Sequence, residues 1–472
     1  MSDLENETGK EPEKKPNFRA LYRTNPLERY SYVLYFVGQN IFYMLVLTFM
    51  SPYFTDIGIN AALAATVTLI IRVWDAVNDP IFGGIVDRTR FKRGKFLPWI
   101  WISTIIIPVS TIFLFGANNN MSLAAKVAWV IGGYMLWDIG YTICDVPIFG
   151  ILTVMTDQQA EKTSLTTGGQ VASMVAMFGV SVFIPAFRER LGGWLPSVVI
   201  VSLFAFVTMI PVCFTAKERM KPPMGDQEIK LKAMLEFVRK NKFMLLFLAS
   251  NVVNSIFAVS TNLGMYLARY NLGGEEMQSY MYIVAFVPIM AISPFIPMIS
   301  RKIDKYYLFM ISVLGGAFLG IVQYFLGYEN FTLFLVISFF RGVLAAFPAI
   351  INFLFTLDIT EYGIWKSGVR AVGISFSVQS FTSKITAAIS TTMGLFALSL
   401  IGFIEGEGAV QVAGFPDKLW FIFTLVPAIG GLLQGVMLFW YKLRDKDVAI
   451  MIKANLGQIS REESEELLAG KY

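Results

Sequence analysis

The sequence predicts an all-α membrane protein of twelve transmembrane helices arranged as two six-helix bundles. Three observations carry that prediction. Hydrophobic residues fill 55% of 472 positions and mean hydropathy is +0.58, well above a water-soluble chain with one core. These residues fall into runs of ~20 or more, the length that crosses a bilayer. The longest polar connection, residues 216–242, lies near the middle and divides the runs six and six.

Residues 1–28 read as a polar tail, too charged for the n-region of a signal peptide, so no cleavage is expected. The first bundle, 29–215, holds crossings at about 30–54, 61–86, 96–116, 123–154, 165–187 and 194–215, separated by charged or Pro/Gly/Asn-rich breaks. In the central loop, 216–242, the stretch EIKLKAMLEFVRKNK has the apolar spacing of an amphipathic helix lying on the membrane surface. The second bundle, 243–442, holds crossings at about 243–268, 279–300, 306–327, 331–357, 370–402 and 417–441. The fourth and eleventh exceed the minimum length, which predicts tilt, a kink or a part outside the hydrocarbon. Residues 443–472 form a charged tail that is helix-prone at its end. DRTRFKRGK after the second crossing and SRKIDKYY after the eighth echo each other, as a six-plus-six repeat would.

Charge supplies an orientation. Lys and Arg crowd the N-terminal tail, the 2–3 connection (Arg88, Arg90, Lys92, Arg93, Lys95), the segment from Lys217 to Lys242, the 8–9 connection (Arg301, Lys302, Lys305) and the C-terminal tail. The opposite side carries Lys126, Arg188, Arg190, Arg269 and Lys418. The positive-inside bias therefore predicts a multi-pass protein of the cell membrane, the inner membrane in a bacterium, with both termini cytoplasmic. The net charge of +5 then reflects topology and predicts no nucleic-acid partner. Cys144 and Cys213 both lie in apolar runs and form no disulfide framework. The sequence has no histidine, which removes the commonest metal ligand and general base. With neither a catalytic constellation nor a soluble sensing domain, an enzyme or receptor is disfavoured, and no cofactor is expected.

The polar residues inside the apolar runs carry the chemistry. Asp75 and Asp79, at i and i+4, share a helix face, and Pro80 removes the amide that would bond the Ala76 carbonyl. A charge at mid-bilayer costs at least ~2.5–3.5 kcal/mol, so the pair needs a cation. The plainer reading is that one Asp braces a helix through Arg72. In the fourth crossing Asp138, Thr142 and Asp145 recur at i, i+4 and i+7, and Pro147 frees the Ile143 carbonyl. Such oxygens suit a hard cation or a proton shared between carboxylates. Asp138 equally suits a pairing with Arg341 in the tenth crossing. Lys384 lies about fourteen residues beyond Arg370, ~20 Å along a helix, and so at mid-membrane. It either serves these carboxylates or makes a structural salt bridge across the halves.

The motifs WDAVNDPIFG, YTICDVP, DITEYGIWKSGVR and FSVQSFTSK, in this order and spacing, resemble the glycoside–pentoside–hexuronide:cation symporter family along the whole chain. The resemblance implies the major facilitator fold, alternating access, and import of a sugar or glycoside coupled to Na⁺, Li⁺ or H⁺. It implies that Asp75, Asp79, Thr142 and Asp145 hold the cation, with Na⁺ at the three carboxylates, and that Lys384 links cation and sugar sites. It assigns Asn40, Asp145, Phe149 and Lys384 to the sugar. There the chain departs from the family pattern: Gln39 and Asn40 replace a Lys-Asp pair, Phe149 a tryptophan, Gly169 and Gln170 an arginine, and Phe347 and Pro348 a second tryptophan. Amides still bond hydroxyls, and losing an acid removes one repulsion against an anionic hexuronide. In GGIVDRTRFKRGK, Asp87 and Arg88 are the residues expected to hold the halves closed on the inner side. A facilitator or exporter of another amphiphilic solute, lipid included, is the alternative on the same fold.

Overall fold

The computed structural model describes residues 23–89, 91, 94–220, 239, 241–300, 302–368 and 372–472, without the side chains of 76, 77, 79, 80, 83, 84, 86–88, 159, 160, 297, 372–374, 376 and 377. The tail up to residue 22 and residues 221–238, where the surface helix was expected, lie outside that description. In the first half the helices are α1 (Pro26–Asp56), α2 (Ala61–Arg88), α3 (Leu97–Leu114), α4 (Leu123–Met155), α5 (Gln159–Phe187) and α6 (Trp194–Thr215). The second half contains α7 (Lys242–Phe257), α8 (Gly264–Asn271), α9 (Glu276–Ile292), α10 (Lys305–Leu326), α11 (Phe331–Ser367), α12 (Val372–Leu400) and α13 (Phe415–Leu438), then α14 (Asp445–Asn455) and α15 (Arg461–Leu467) in the tail.

The chain runs back and forth between two faces, here the terminal face, which carries the start of α1 and the C-terminal tail, and the far face. Short polar residues start the helices. Asn25 accepts from the Glu28 amide at 2.8 Å while Glu28 returns a bond to the Asn25 amide at 2.9 Å, a reciprocal cap. Asn60, Ser122, Asn241 and Asn330 cap α2, α4, α7 and α11 in the same way. At α3 the cap comes from afar: the Glu218 carboxylate accepts from the amides of Lys95, Phe96 and Leu97, each at 2.8 Å. A negative group there also complements the helix dipole.

Ten described helices are long and apolar enough by themselves to cross a membrane. The other two expected crossings fall on α2, which carries Arg72, Asp75 and Asp79, and on the short helices α7 and α8. The seventh crossing, expected as one run over 243–268, is therefore broken. After Phe257 the chain makes a 3₁₀ turn, Val259–Asn262. There the Ala258 carbonyl accepts from Thr261 Oγ1 at 3.1 Å and Ser390 Oγ at 2.8 Å. Hydroxyls compete with the helix ladder for that carbonyl. The tenth crossing is longer than expected, running from Phe331 to Ser367 until Gly368, in the left-handed region at φ 69°, stops it. Its polar last turns persist because Asp358 is paired with Lys305 at 2.7 Å.

Helices α1 to α6 pack on one another, with α1 against α5 and α6 and α4 against α2 and α3. In the second half α10 packs on α11 and α13, and α7 on α12 and α13. The two halves meet where α5 faces α9 and α2 faces α12. Small residues permit close approach: a Cβ on Gly38 would stand 2.3 Å from the Ala205 carbonyl oxygen, and one on Gly342 2.8 Å from that of Ala285.

Candidate functional site in the membrane interior

Four helices surround a cavity of about 470 Å³. Tyr43 comes from α1, Asp75 from α2, Trp137, Asp138, Tyr141, Thr142 and Asp145 from α4, and Ser380 and Lys384 from α12. The i, i+3, i+4, i+7 spacing of the α4 residues turns them to one side. An amide network fixes the acids. Gln39 Nε2 donates to Asp145 Oδ1 at 2.9 Å. The buried Asn78 donates to Asp138 Oδ2 and to Thr142 Oγ1, each at 2.8 Å. Arg72 Nη1 lies 3.6 Å from Asp75 Oδ2. Aromatic rings lie beside the acids: on α4 itself Trp137 and Tyr141 stack at 5.1 Å, and Tyr43 of α1 lies 5.5 Å from Tyr141. Carboxylates and hydroxyls beside aromatic faces can bind a cation and a hydroxylated ring together.

Asp75, Thr142, Asp145 and Lys384 are thus brought to one cavity. Asp79 follows Asp75 by one turn of α2, and its side chain lies outside the described residues, as do those of Asp87 and Arg88. Asn40 turns toward α5, donating to Ser173 Oγ at 2.8 Å and to the Phe36 carbonyl at 2.9 Å. Phe149, half exposed, packs 5.4 Å from Phe36, one turn along α4 from Asp145. Neither Asn40 nor Phe149 lines the cavity. Arg72 does pair with Asp75, yet Asp75 still faces the cavity. Asp138 and Arg341 are not partners: Asp138 faces α2, whereas Arg341 Nη1 donates to Gln323 Oε1 on α10. Gln39 was read only as half of a substituted pair at the sugar side, and Asn78 and the three aromatic residues were missed, although Gln39 and Tyr43 stand at i and i+4, and Trp137, Tyr141 and Asp145 at successive fours.

The far face holds a second arrangement that sequence reasoning did not assemble. Arg188, following α5, donates through Nε to Glu275 at 2.7 Å and through Nη1 to Glu407 at 2.7 Å. Arg269, on α8, donates to both oxygens of Asp56, at the end of α1, at 2.5 and 2.6 Å, and to Glu275 at 2.6 Å. Trp194 Nε1 adds a bond to Asp56 at 2.8 Å. Burial works against the Arg188 charge, but the bonds to Glu275 and Glu407 outweigh it and leave its pKa above the ordinary value. Asp56, Arg188 and Trp194 belong to the first half; Arg269, Glu275 and Glu407 belong to the second. Named ion pairs at the terminal face, Arg219 with Glu28 and Lys305 with Asp358 and Asp445, stay within one half.

Two helix halves meeting around a polar cavity inside the membrane, tied together at one face, define a multi-pass membrane transporter. The family model for "MFS/sugar transport protein" matches residues 31–445, and the chain belongs to that family. It is 28% identical to the "Uncharacterized symporter YjmB" of Bacillus subtilis (strain 168), over 90% of this chain and 94% of that one. It is 26% identical to the "Isoprimeverose transporter" of Lactiplantibacillus pentosus, covering 88% of each chain. It is 27% identical to the "Glucuronide carrier protein homolog" of Escherichia coli (strain K12), over 87% of this chain and 91% of that one. Among solved structures, a bacterial homologue of the iron transporter ferroportin in an inward-facing state shares the fold, with a TM-score of 0.64, 13% identity and coverage of 90% and 99%. The resemblance read from the motifs therefore holds: the chain has the major facilitator fold and is a sugar-transporter relative, not an enzyme.

Proposed function

We propose that this protein imports a sugar or glycoside by symport with Na⁺ or H⁺, Li⁺ being able to substitute, through alternating access across the cell membrane. One observation carries the reading: Asp75, Thr142, Asp145 and Lys384 line a single cavity together with Tyr43, Trp137 and Tyr141. Asp75, Asp79, Thr142 and Asp145 bind the cotransported cation. Asp145, reached by both Gln39 and the cavity, and Lys384 then contact sugar hydroxyls. The same proposal keeps Asn40, beside Gln39, and Phe149 as substrate contacts.

Cation binding neutralises the acids and lets the sugar approach, and by linkage the sugar tightens cation binding by the same factor. The Lys- and Arg-rich terminal face is taken as cytoplasmic, so the far-face ties close the outer entrance. Asp87 and Arg88 are the proposed partners for the inner closure. Proteoliposomes carrying the purified protein should concentrate a labelled glycoside when an inward Na⁺ or H⁺ gradient is imposed, and only equilibrate it without one. Equilibration alone under every gradient would leave a facilitator.

A further inference from the structure

The second half contains a separate cavity of about 440 Å³ between α7, α9, α10, α11 and α13, and Arg341 of α11 lines it. Its guanidinium lies along α10: Nη1 donates to Gln323 Oε1, and Nη2 passes 3.8 Å from where a Cβ on Gly320 would stand. A guanidinium keeps its proton in proteins, so this charge is permanent. Among the described residues it has no ion-pair partner within 4.0 Å. The helices around the cavity offer none nearby. No acid occurs in α7 or α10, and Glu276 opens α9. Asp358 and Glu361, in the last turns of α11, bond Lys305 and Asn455, and Asp417, in the first turn of α13, accepts from the Tyr328 hydroxyl. Asp358 also stands ~25 Å along α11 from Arg341.

The polar groups that line the cavity beside Arg341 are mostly donors. Ser338 Oγ accepts from Gln323 Nε2 at 3.1 Å, which leaves its own proton to give. Asn251 Oδ1 accepts from Gln434 Nε2 at 3.0 Å, which leaves its amide nitrogen to donate, and Asn254 follows three residues along α7. A permanent cation with neutral N–H and O–H donors around it is the complement of an anion. A brace between α10 and α11 needs no charge, because the bond from Gln323 to Ser338 already makes one, and an unmatched charge inside a membrane is costly. Arg341 is the single charged residue among the described residues of the lining, so the matching anion is monovalent. The rest of the lining is mainly apolar, which suits a compact anion. Asn352 Oδ1, buried and without a hydrogen-bond partner among the described residues, suits a water that hydrates that anion.

We propose that Arg341, Ser338, Asn251 and Asn254 form a binding site for a small inorganic anion, chloride, within the second half. The anion supplies the counter-charge that the surrounding helices lack, and the packing of α10 on α11 becomes anion-dependent. The site shares no lining residue with the cavity of the acids. Its effect is therefore on the stability of the second half, whatever solute the protein carries.

Replacing gluconate by chloride around purified wild type, R341Q and Q323E, with potassium and ionic strength held constant, tests this, together with equilibrium dialysis of radioactive chloride. Wild type should bind one chloride per chain and gain roughly 2–5 °C in melting temperature, saturably, with bromide acting alike. R341Q removes the charge, and Q323E sets a carboxylate against it. Both should lose chloride affinity by about tenfold or more and with it the saturable gain. Q323E in gluconate should also melt no lower than wild type in gluconate, because its counter-charge is built in, and this arm decides even where R341Q does not fold. Absence of both binding and gain in wild type overturns the proposal. An undiminished gain in Q323E does so too, since chloride would then act elsewhere on the protein. A melting temperature that falls as chloride replaces gluconate would make the site one for organic acids and sink the assignment.

Discussion

Arg188 and Glu275 form a buried, two-pronged ion pair across the boundary between the halves, each about 2–3% exposed at the side chain. Removing one partner of such a pair strands the other charge and costs ~3–5 kcal/mol. Glu275→Gln should therefore destabilise the state closed at the far face. Ser279, whose hydroxyl now bonds the Val182 carbonyl across the same seam, reports on it. In a Ser279→Cys background, labelling by a membrane-impermeant thiol reagent should rise at least several-fold when Glu275→Gln is added, and unchanged labelling would show that the network does not hold the entrance.

At the site of the acids, Asp75→Asn and Asp79→Asn keep shape and remove charge. Each variant should fold, bind the sugar weakly and fail to concentrate it, as counterflow and gradient-driven uptake in the same vesicles would show. Undiminished accumulation by either one would remove that carboxylate from the cation site.

Lys384 distinguishes a transport role from a brace. Lys384→Ala should lose coupled uptake by about tenfold or more, with Lys384→Arg restoring part of it because the charge returns on a stem of similar reach. A purely structural lysine would instead lower the melting temperature while coupling survived. Measuring both properties on one preparation separates the two.

Glu218 offers a prediction about the fold alone. Glu218→Ala uncaps three amides at the start of α3 and should cost ~1–2 kcal/mol, visible as a lower melting temperature. Transport per folded molecule should remain within about twofold of wild type, since α3 does not line the cavity of the acids.

The crossings and the acidic stripe were legible because each has a local signature. Runs of apolar residues report length, and Asp138, Thr142 and Asp145 report a helix face regardless of what surrounds them. The break at Ala258 was not legible, since the hydroxyl that holds its carbonyl belongs to Ser390, 132 positions away. Arg188, Arg269 and Asp56 looked like scattered far-side charges because nothing in their spacing says that helix ends 213 residues apart meet. A pairing of Arg341 with Asp138 was one of two readings that the sequence left equal, and the structure does not make it. Their helices face different neighbours, a matter of tertiary packing that periodicity does not encode.

The broken seventh crossing has a bearing on the order of events. Ser390, on the helix that carries Lys384, grips the backbone at the break, and the next short helix carries Arg269 into the outer ion network. A shift of α12 when Lys384 changes partners would turn that short helix as a crank turns a shaft. Occupancy of the interior would then be felt at the entrance without any ligand touching it, and the protein would keep time between loading and release through one hydroxyl and the twelve residues from Ala258 to Arg269.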